Sequence, residues 1–255
     1  MADRVHFGRE LVRTSEAEDH VIVEFADGTT AEADVLVAAD GVNSTVRQLL
    51  SLPDPLDTGA ICTYGRTTLT QATRAALPAS LLTGTSVVFA ADHAVILDAM
   101  LFRPSAFESA AHLTPVPDYL YFAFFGPADT LRHTGPEILA MIDESTANWH
   151  PGLRAAFAAA NPNTLAANVF RTADTLPTWS ATRITLLGDA VHPMSPAAGL
   201  GANTALRDAA VLAEELTGGH SPAVALAAYA NRMRCYARDA VTASTAGTAM
   251  LTSRA

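Results

Sequence analysis

Residues 183–216, RITLLGDAVHPMSPAAGLGANTALRDAAVLAEEL, decide how the rest of this chain is read. Ile184, Leu186 and Leu187 form a brief apolar run of the length of a buried strand. The run stops at Gly188-Asp189, which puts a carboxylate at the carboxyl edge of a sheet, where α/β proteins gather ligand contacts. Pro193, Pro196, Gly199 and Gly201 then hold an irregular loop. The two glycines flanking Leu200 free the backbone for unusual dihedrals and for close approach of another molecule. An amphipathic helix is expected next, with Leu206, Ala209, Ala210, Ala213 and Leu216 inward and Arg207, Asp208, Glu214 and Glu215 outward. Its N-terminus would carry the Gly-Leu-Gly amides with the positive end of the helix dipole behind them. Such a turn suits an electron-rich ligand.

A second segment has the same strand-then-turn grammar. Residues 21–25, VIVEF, precede Asp27-Gly28, a strong hairpin signal, and residues 33–39 follow as the next strand. Within it VLVAA (35–39) is continuously apolar, as a strand covered on both faces should be. It runs into Asp40-Gly41-Val42-Asn43-Ser44, and Ser44 is placed to cap a short helix carrying Val46, Arg47, Leu49 and Leu50. Taken alone, Asp189 could be a turn residue and Arg47 a salt-bridging surface group.

Together the two segments resemble the fingerprints of the single-component FAD-dependent aromatic hydroxylases, the para-hydroxybenzoate and salicylate hydroxylase type. The pattern G-D-A-x-H-x-x-x-P-x-x-G-x-G-x-N-x-x-x-x-D-A is matched at Gly188, Asp189, Ala190, His192, Pro196, Gly199, Gly201, Asn203, Asp208 and Ala209. The pattern A-D-G-x-x-S-x-V-R is matched at Ala39, Asp40, Gly41, Ser44, Val46 and Arg47. The resemblance implies that Asp189, after Gly188, hydrogen-bonds the ribityl chain of FAD. It implies that the amides of Gly199, Leu200 and Gly201, with Asn203 nearby, face the pyrimidine edge of the flavin, and that Pro196 lies beside its reactive face. Asp40, Gly41 and Arg47 would lie near the pyrophosphate and the pyridine nucleotide path. The implied fold is α/β: a Rossmann-like FAD-binding domain, incomplete here, formed by 1–56 and 176–255, with an antiparallel β-sheet substrate domain, 57–175, inserted in it. The implied activity is that of a monooxygenase in which NADPH or NADH reduces FAD, O2 adds at flavin C4a, and one oxygen enters an apolar or aromatic substrate. No catalytic side chain is singled out beyond Pro196, because the cofactor carries the chemistry.

The inserted region reads as strands over 61–69, 86–90, 94–101 and 119–125, with Asp92-His93 turning between the second and third. In YLYFAFF (119–125) Leu120, Phe122 and Phe124 share one face and Tyr119, Tyr121, Ala123 and Phe125 the other. Either face could wall an aromatic ligand or form core. Phe122, with Tyr64 and Arg66 on one face of 61–69, are the substrate-contact candidates. Helices are expected over 135–147 and 152–160, then a strand over 165–170. Ser221-Pro222 opens a long alanine-rich helix carrying Tyr229, Met233 and Tyr236.

Composition narrows the alternatives. With a formal charge of −10 at pH 7 and a pI near 5.1, the chain is a poor partner for nucleic acid or an anionic membrane. All sixteen basic residues are arginine, so a P-loop lysine, a pyridoxal Schiff base and lysine-dependent flavin halogenation are excluded. Cys62 and Cys235 form no CxxC, and the eight histidines no HxH or HxxxH, so neither a disulfide framework nor a metal site is expected. The charged start MADRVHFGRE and the lack of an apolar run of about 18 residues point to a cytoplasmic protein without a membrane span. Its oligomeric state is open.

The family opens with a βαβ unit of about 30 residues bearing G-x-G-x-x-G, and this sequence contains no such pattern. The 255 residues alone are therefore expected to bind FAD weakly, and the edge beside residues 35–39 to promote self-association. Two other readings stand beside the monooxygenase: a truncated, non-catalytic flavoprotein lobe, and a flavin reductase or dehydrogenase on the same fold.

Overall fold

The structure is a computed structural model that describes residues 4–90, 93–108, 112–126, 134–180 and 182–252. The chain has two compact units: Met1–Thr58 with Arg171–Thr248, and Gly59–Phe170 with Ala249–Ala255.

The first unit opens with an antiparallel sheet in the order β1 (Leu11–Glu16), β2 (Val21–Phe25), β3 (Thr30–Ala33). Gly28 turns the β2–β3 hairpin at φ 82°, and the Asp27 carboxylate accepts the Thr29 N–H at 2.9 Å. The single strand expected over 33–39 is two. Thr30–Ala33 completes the hairpin. The Asp34 carbonyl accepts from the Arg183 guanidinium at 3.0 Å where the chain bends away, and β4 (Leu36–Ala38) joins a different sheet. Nor is β4 covered on both faces: Ala38 is buried, while Leu36 and Val37 are half-buried. The helix α1 (Thr45–Leu49) follows, capped by Ser44, whose Oγ accepts the Arg47 N–H at 3.0 Å.

The chain then enters the second unit through β5 (Leu56–Thr68), α2 (Gln71–Ala76), β6 (Ser86–Phe89), β7 (Ala94–Met100), α3 (Pro104–Glu108), β8 (Tyr119–Gly126), α4 (Gly135–Ser145), α5 (Pro151–Ala158) and β9 (Ala166–Thr172). The strands form one sheet in the order β6-β7-β8-β5-β9, antiparallel at the β6–β7, β7–β8 and β5–β8 pairings. Of the expected Asp92-His93 turn, Asp92 lies outside the described residues; His93 contributes a carbonyl that accepts the Ala90 N–H at 2.9 Å. Leu120, Phe122 and Phe124 pack with Ile138 and Ile142 of α4 and Phe157 of α5. Phe122 is fully buried, its ring edge-on to Phe157 at 5.2 Å, so it is core and not a substrate contact. The amphipathic α4 and α5 need an apolar sheet face to cover, and Phe122 supplies its centre.

Returning to the first unit, β10 (Ile184–Leu186) pairs in parallel with β4, Thr185 opposite Val37. Then come α6 (Gly201–Thr217) and α7 (Pro222–Thr252). Val21, Ala38, Leu186, Leu212, Tyr229 and Met233 belong to one core here, and the Tyr229 hydroxyl donates to the Leu186 carbonyl at 2.9 Å. The inward face of α6 differs from the expected one. Thr204, Asp208, Val211 and Leu212 are buried, whereas Leu206, Ala209, Ala210, Ala213 and Leu216 are exposed. Asp208 turns inward because its carboxylate is fully hydrogen-bonded there, which removes the usual penalty for burying a charge. Among the described residues no helix is long and apolar enough to cross a membrane, and no cluster of potential ligands could hold a metal ion.

Candidate cofactor site

The ends of β4 and β10 and the start of α6 enclose a cavity of about 530 Å3 in the first unit, lined by Gly41, Asp189, Met194, Pro196, Gly199 and Ala202 among others. Two backbone features shape it. Gly188 turns away from β10 at φ 60°, and a side chain there would come within 3.1 Å of the Ala205 Cβ, so the turn needs glycine for both dihedral and space. Ser195 caps the short 3-10 turn Pro196–Ala198, and Gly199 ends that turn in the left-handed region at φ 65°. Gly201 differs from the expectation for the pair: it has no positive φ and is simply the first residue of α6.

The amides divide unequally. The Gly199 N–H is taken by the Pro196 carbonyl at 2.8 Å, so it is not free for a ligand as the sequence reading had it. Leu200 occupies the cap position of α6 and offers no side-chain cap to the helix's first amides. A 17-residue helix concentrates partial positive charge at such an end.

Asp189 supplies the complementary acceptor. Its side chain is exposed where it lines the cavity, and among the described residues its carboxylate has no hydrogen-bond partner. Burial by the surrounding protein raises its pKa above the usual 3.8, and only the neighbouring His192 pulls the other way. An unpaired carboxyl with a raised pKa, at a cavity and beside a helix N-terminus, has the marks of a ligand-binding group. Asn203 is exposed in the first turn of α6.

The second fingerprint is used differently. Gly41, at φ 79°, lines the cavity, while Asp40 spends one oxygen on α1, accepting from Thr45 N at 2.8 Å and Val46 N at 3.4 Å. Arg47 is buried and makes no salt bridge among the described residues. Its guanidinium donates to the carbonyls of Val42, Asp189 and Ala190, tying one fingerprint to the other, and burial lowers its pKa. It does not line the cavity. Arg47 therefore sets the spacing of the two turns.

In the second unit, Tyr64 lies on the sheet face opposite Phe122, as the period-two pattern requires. Its ring stacks on Tyr121 with centroids 6.1 Å apart, and burial pushes both phenols' pKa values up, so they remain hydrogen-bond donors. Exposed Arg66 lies over the Tyr119 ring at 5.6 Å. Tyr121 was not singled out from sequence; its place between Asp98 and Arg66 in the strand register is what marks it.

Residues 2–244 match the family model described as FAD binding domain. The chain belongs to this family. Among FAD-binding relatives, it is 34% identical over 283 residues to a dual O-methyltransferase/FAD-dependent monooxygenase of Cercospora beticola, covering 96% of this chain and 32% of that protein. It is 32% identical over 236 residues to 6-hydroxynicotinate 3-monooxygenase of Bordetella bronchiseptica, covering 89% of this chain and 56% of that protein. The chain thus spans about a third to a half of these relatives' lengths. The crystal structure of Klebsiella pneumoniae HpxO with FAD and uric acid superposes with a TM-score of 0.81 at 25% identity, covering 99% of this chain and 60% of that one. FAD, the family's cofactor, fits the donor set present: an unpaired carboxylate for hydroxyl groups and an uncapped helix end for an electron-rich ring edge.

Proposed function

We propose that this chain is the flavin-holding and substrate-contacting part of an NAD(P)H-dependent monooxygenase that places one oxygen atom of O2 on a small apolar or aromatic molecule. The reading rests on Asp189: a cavity carboxyl without a protein partner is what a polyhydroxylated cofactor chain requires. When bound, FAD supplies the redox chemistry that O2 activation needs. The protein's own part is to bind and orient. Asp189 accepts from ligand hydroxyls, and the α6 N-terminus stabilises negative charge on the ring edge by about 0.3–2 kcal/mol. Pro196 and Met194 wall the cavity against water. Tyr64 and Arg66 are the proposed substrate contacts, with the Tyr64 phenol kept as a donor by its burial. The names of the relatives support this assignment, because each contains a monooxygenase acting with FAD or on a small ring.

The test is a titration of the purified chain with FAD, followed by flavin fluorescence, then NAD(P)H oxidation under isotopically labelled O2 with a panel of hydroxylated aromatics. Label in the organic product is the expected result. NAD(P)H oxidation with no labelled product would favour a flavin reductase, and failure to bind any flavin would favour the non-catalytic lobe.

A further inference from the structure

Among the described residues, Asp208 is the one fully buried carboxylate beside the cofactor cavity, and it does not line that cavity. Its Oδ2 accepts the Gly188 N–H at 2.7 Å and faces His192 Nε2 at 2.6 Å. Its Oδ1 accepts the Tyr236 hydroxyl of α7 at 2.7 Å, and the Arg207 guanidinium lies 4.1 Å from the centre of the Tyr236 ring. His192 is also fully buried. Two of the three donors, Gly188 and His192, bracket Asp189 in the chain. The third holds the carboxylate from the far side, so it cannot rotate away from the turn.

We propose that Asp208 is the positioning residue of the cofactor cavity: through Gly188 and His192 it fixes the turn that aims the Asp189 carboxyl at the ligand. This rests on the flavin reading of the cavity. The chemistry requires an ionised acceptor. A carboxylate offers about four lone-pair directions and can satisfy an amide, an imidazole N–H and a phenol together. An asparagine offers one oxygen and must point its NH2 at one of those donors. Hydrogen bonds to charged groups are also the stronger kind. Asp208→Asn therefore frees the Gly188 turn while keeping the size of the side chain.

The experiment compares wild type, Asp208→Asn and Val211→Ala, a control that trims a buried apolar side chain one turn further along α6. FAD affinity, melting temperature and the amide proton resonance of Gly188 are read on each. The expected result is an affinity loss of about tenfold or more for Asp208→Asn, with the Gly188 resonance moving upfield as its charged acceptor disappears. Val211→Ala should lose stability with affinity and resonance unchanged. If Asp208→Asn does not fold, His192→Gln and His192→Leu carry the test: the glutamine, which can still donate to Asp208, should retain affinity and the leucine should lose it. Equal affinity loss in Asp208→Asn and Val211→Ala, or an unmoved Gly188 resonance, would overturn the proposal and leave Asp208 a stabilising residue only. A wild-type chain that binds no flavin would count against the flavin reading instead, while the Gly188 resonance would still decide whether Asp208 holds the turn.

Discussion

Asp189 sits where function and stability pull in opposite directions. Its pKa in the folded chain is raised above the unfolded 3.8 by burial, with His192 partly opposing. Between those two values the folded state binds more protons than the unfolded, so stability falls as pH rises through the window. The stabilising, protonated form is fully present below about 3.8 and lost above the raised value. Asp189→Asn is expected to remove this slope and, because the side chain is exposed, to gain only a little stability near neutral pH. It should also weaken flavin binding, since a neutral amide replaces a charged acceptor worth about 1.5–3 kcal/mol in a hydrogen bond. Urea unfolding of both proteins at a series of pH values checks the sign. A slope shared by the two would mean that another group titrates. His192→Gln should raise the Asp189 pKa further, read by carboxyl-carbon NMR, because the one opposing influence is then gone.

At the scale of elements, glycines mark where pieces approach most closely. Gly65 on β5 leaves the space that Phe122 and Leu165 fill, and a β-carbon there would overlap both side chains. Gly65→Ala is therefore expected to cost about 1–3 kcal/mol through overpacking, measured as a lower urea midpoint with an unchanged slope. The Gly199 position is different: open space surrounds it, but its φ of 65° disfavours any side chain. Gly199→Ala should cost about 1–2 kcal/mol through backbone strain alone. If it costs nothing, the turn before α6 has an alternative conformation. The outer face of α6 carries an exposed apolar stripe. Leu206 is 69% exposed, in line with exposed Ala209, Ala210, Ala213 and Leu216.

On the scale of the whole molecule, that apolar stripe and the outer edge of β4 favour association of copies. Within its sheet β4 has β10 as its only partner among the described residues, so its other edge presents unpaired backbone groups. Net charge opposes association at pH 7, where it is −10, and fades toward the pI near 5.1. Sedimentation velocity is expected to show association growing with concentration and as pH falls from 7 toward 5. Leu206→Glu should raise the monomer fraction without lowering the melting temperature. An unchanged distribution would leave the β4 edge, or neither surface, as the cause.

The local chemistry of this protein was written in its sequence. The Gly188-Asp189 turn, the Ser44 cap, the Asp27-Gly28 hairpin and the alternation in 119–125 each depend on residues close together in the chain, whose dihedral and hydrogen-bonding preferences act over a few positions. Tertiary structure decided which faces are covered. Alternation showed that Phe122 and Tyr121 point oppositely, but only the packing of α4 and α5 made Phe122 core. Hydrophobic periodicity chose the wrong face of α6, because it has no way to know that Gly188 N, His192 and Tyr236 converge to satisfy Asp208. The same limit merged β3 with β4: both are strands by local preference, β3 stays in the local hairpin with β2, and only the distant partner β10 draws β4 into a separate sheet. Arg47 was legible as a fingerprint residue, yet its work on the carbonyls of Asp189 and Ala190 joins positions more than 140 apart in the chain. Local sequence carries backbone preference; burial and long-range hydrogen bonds are properties of the assembled fold.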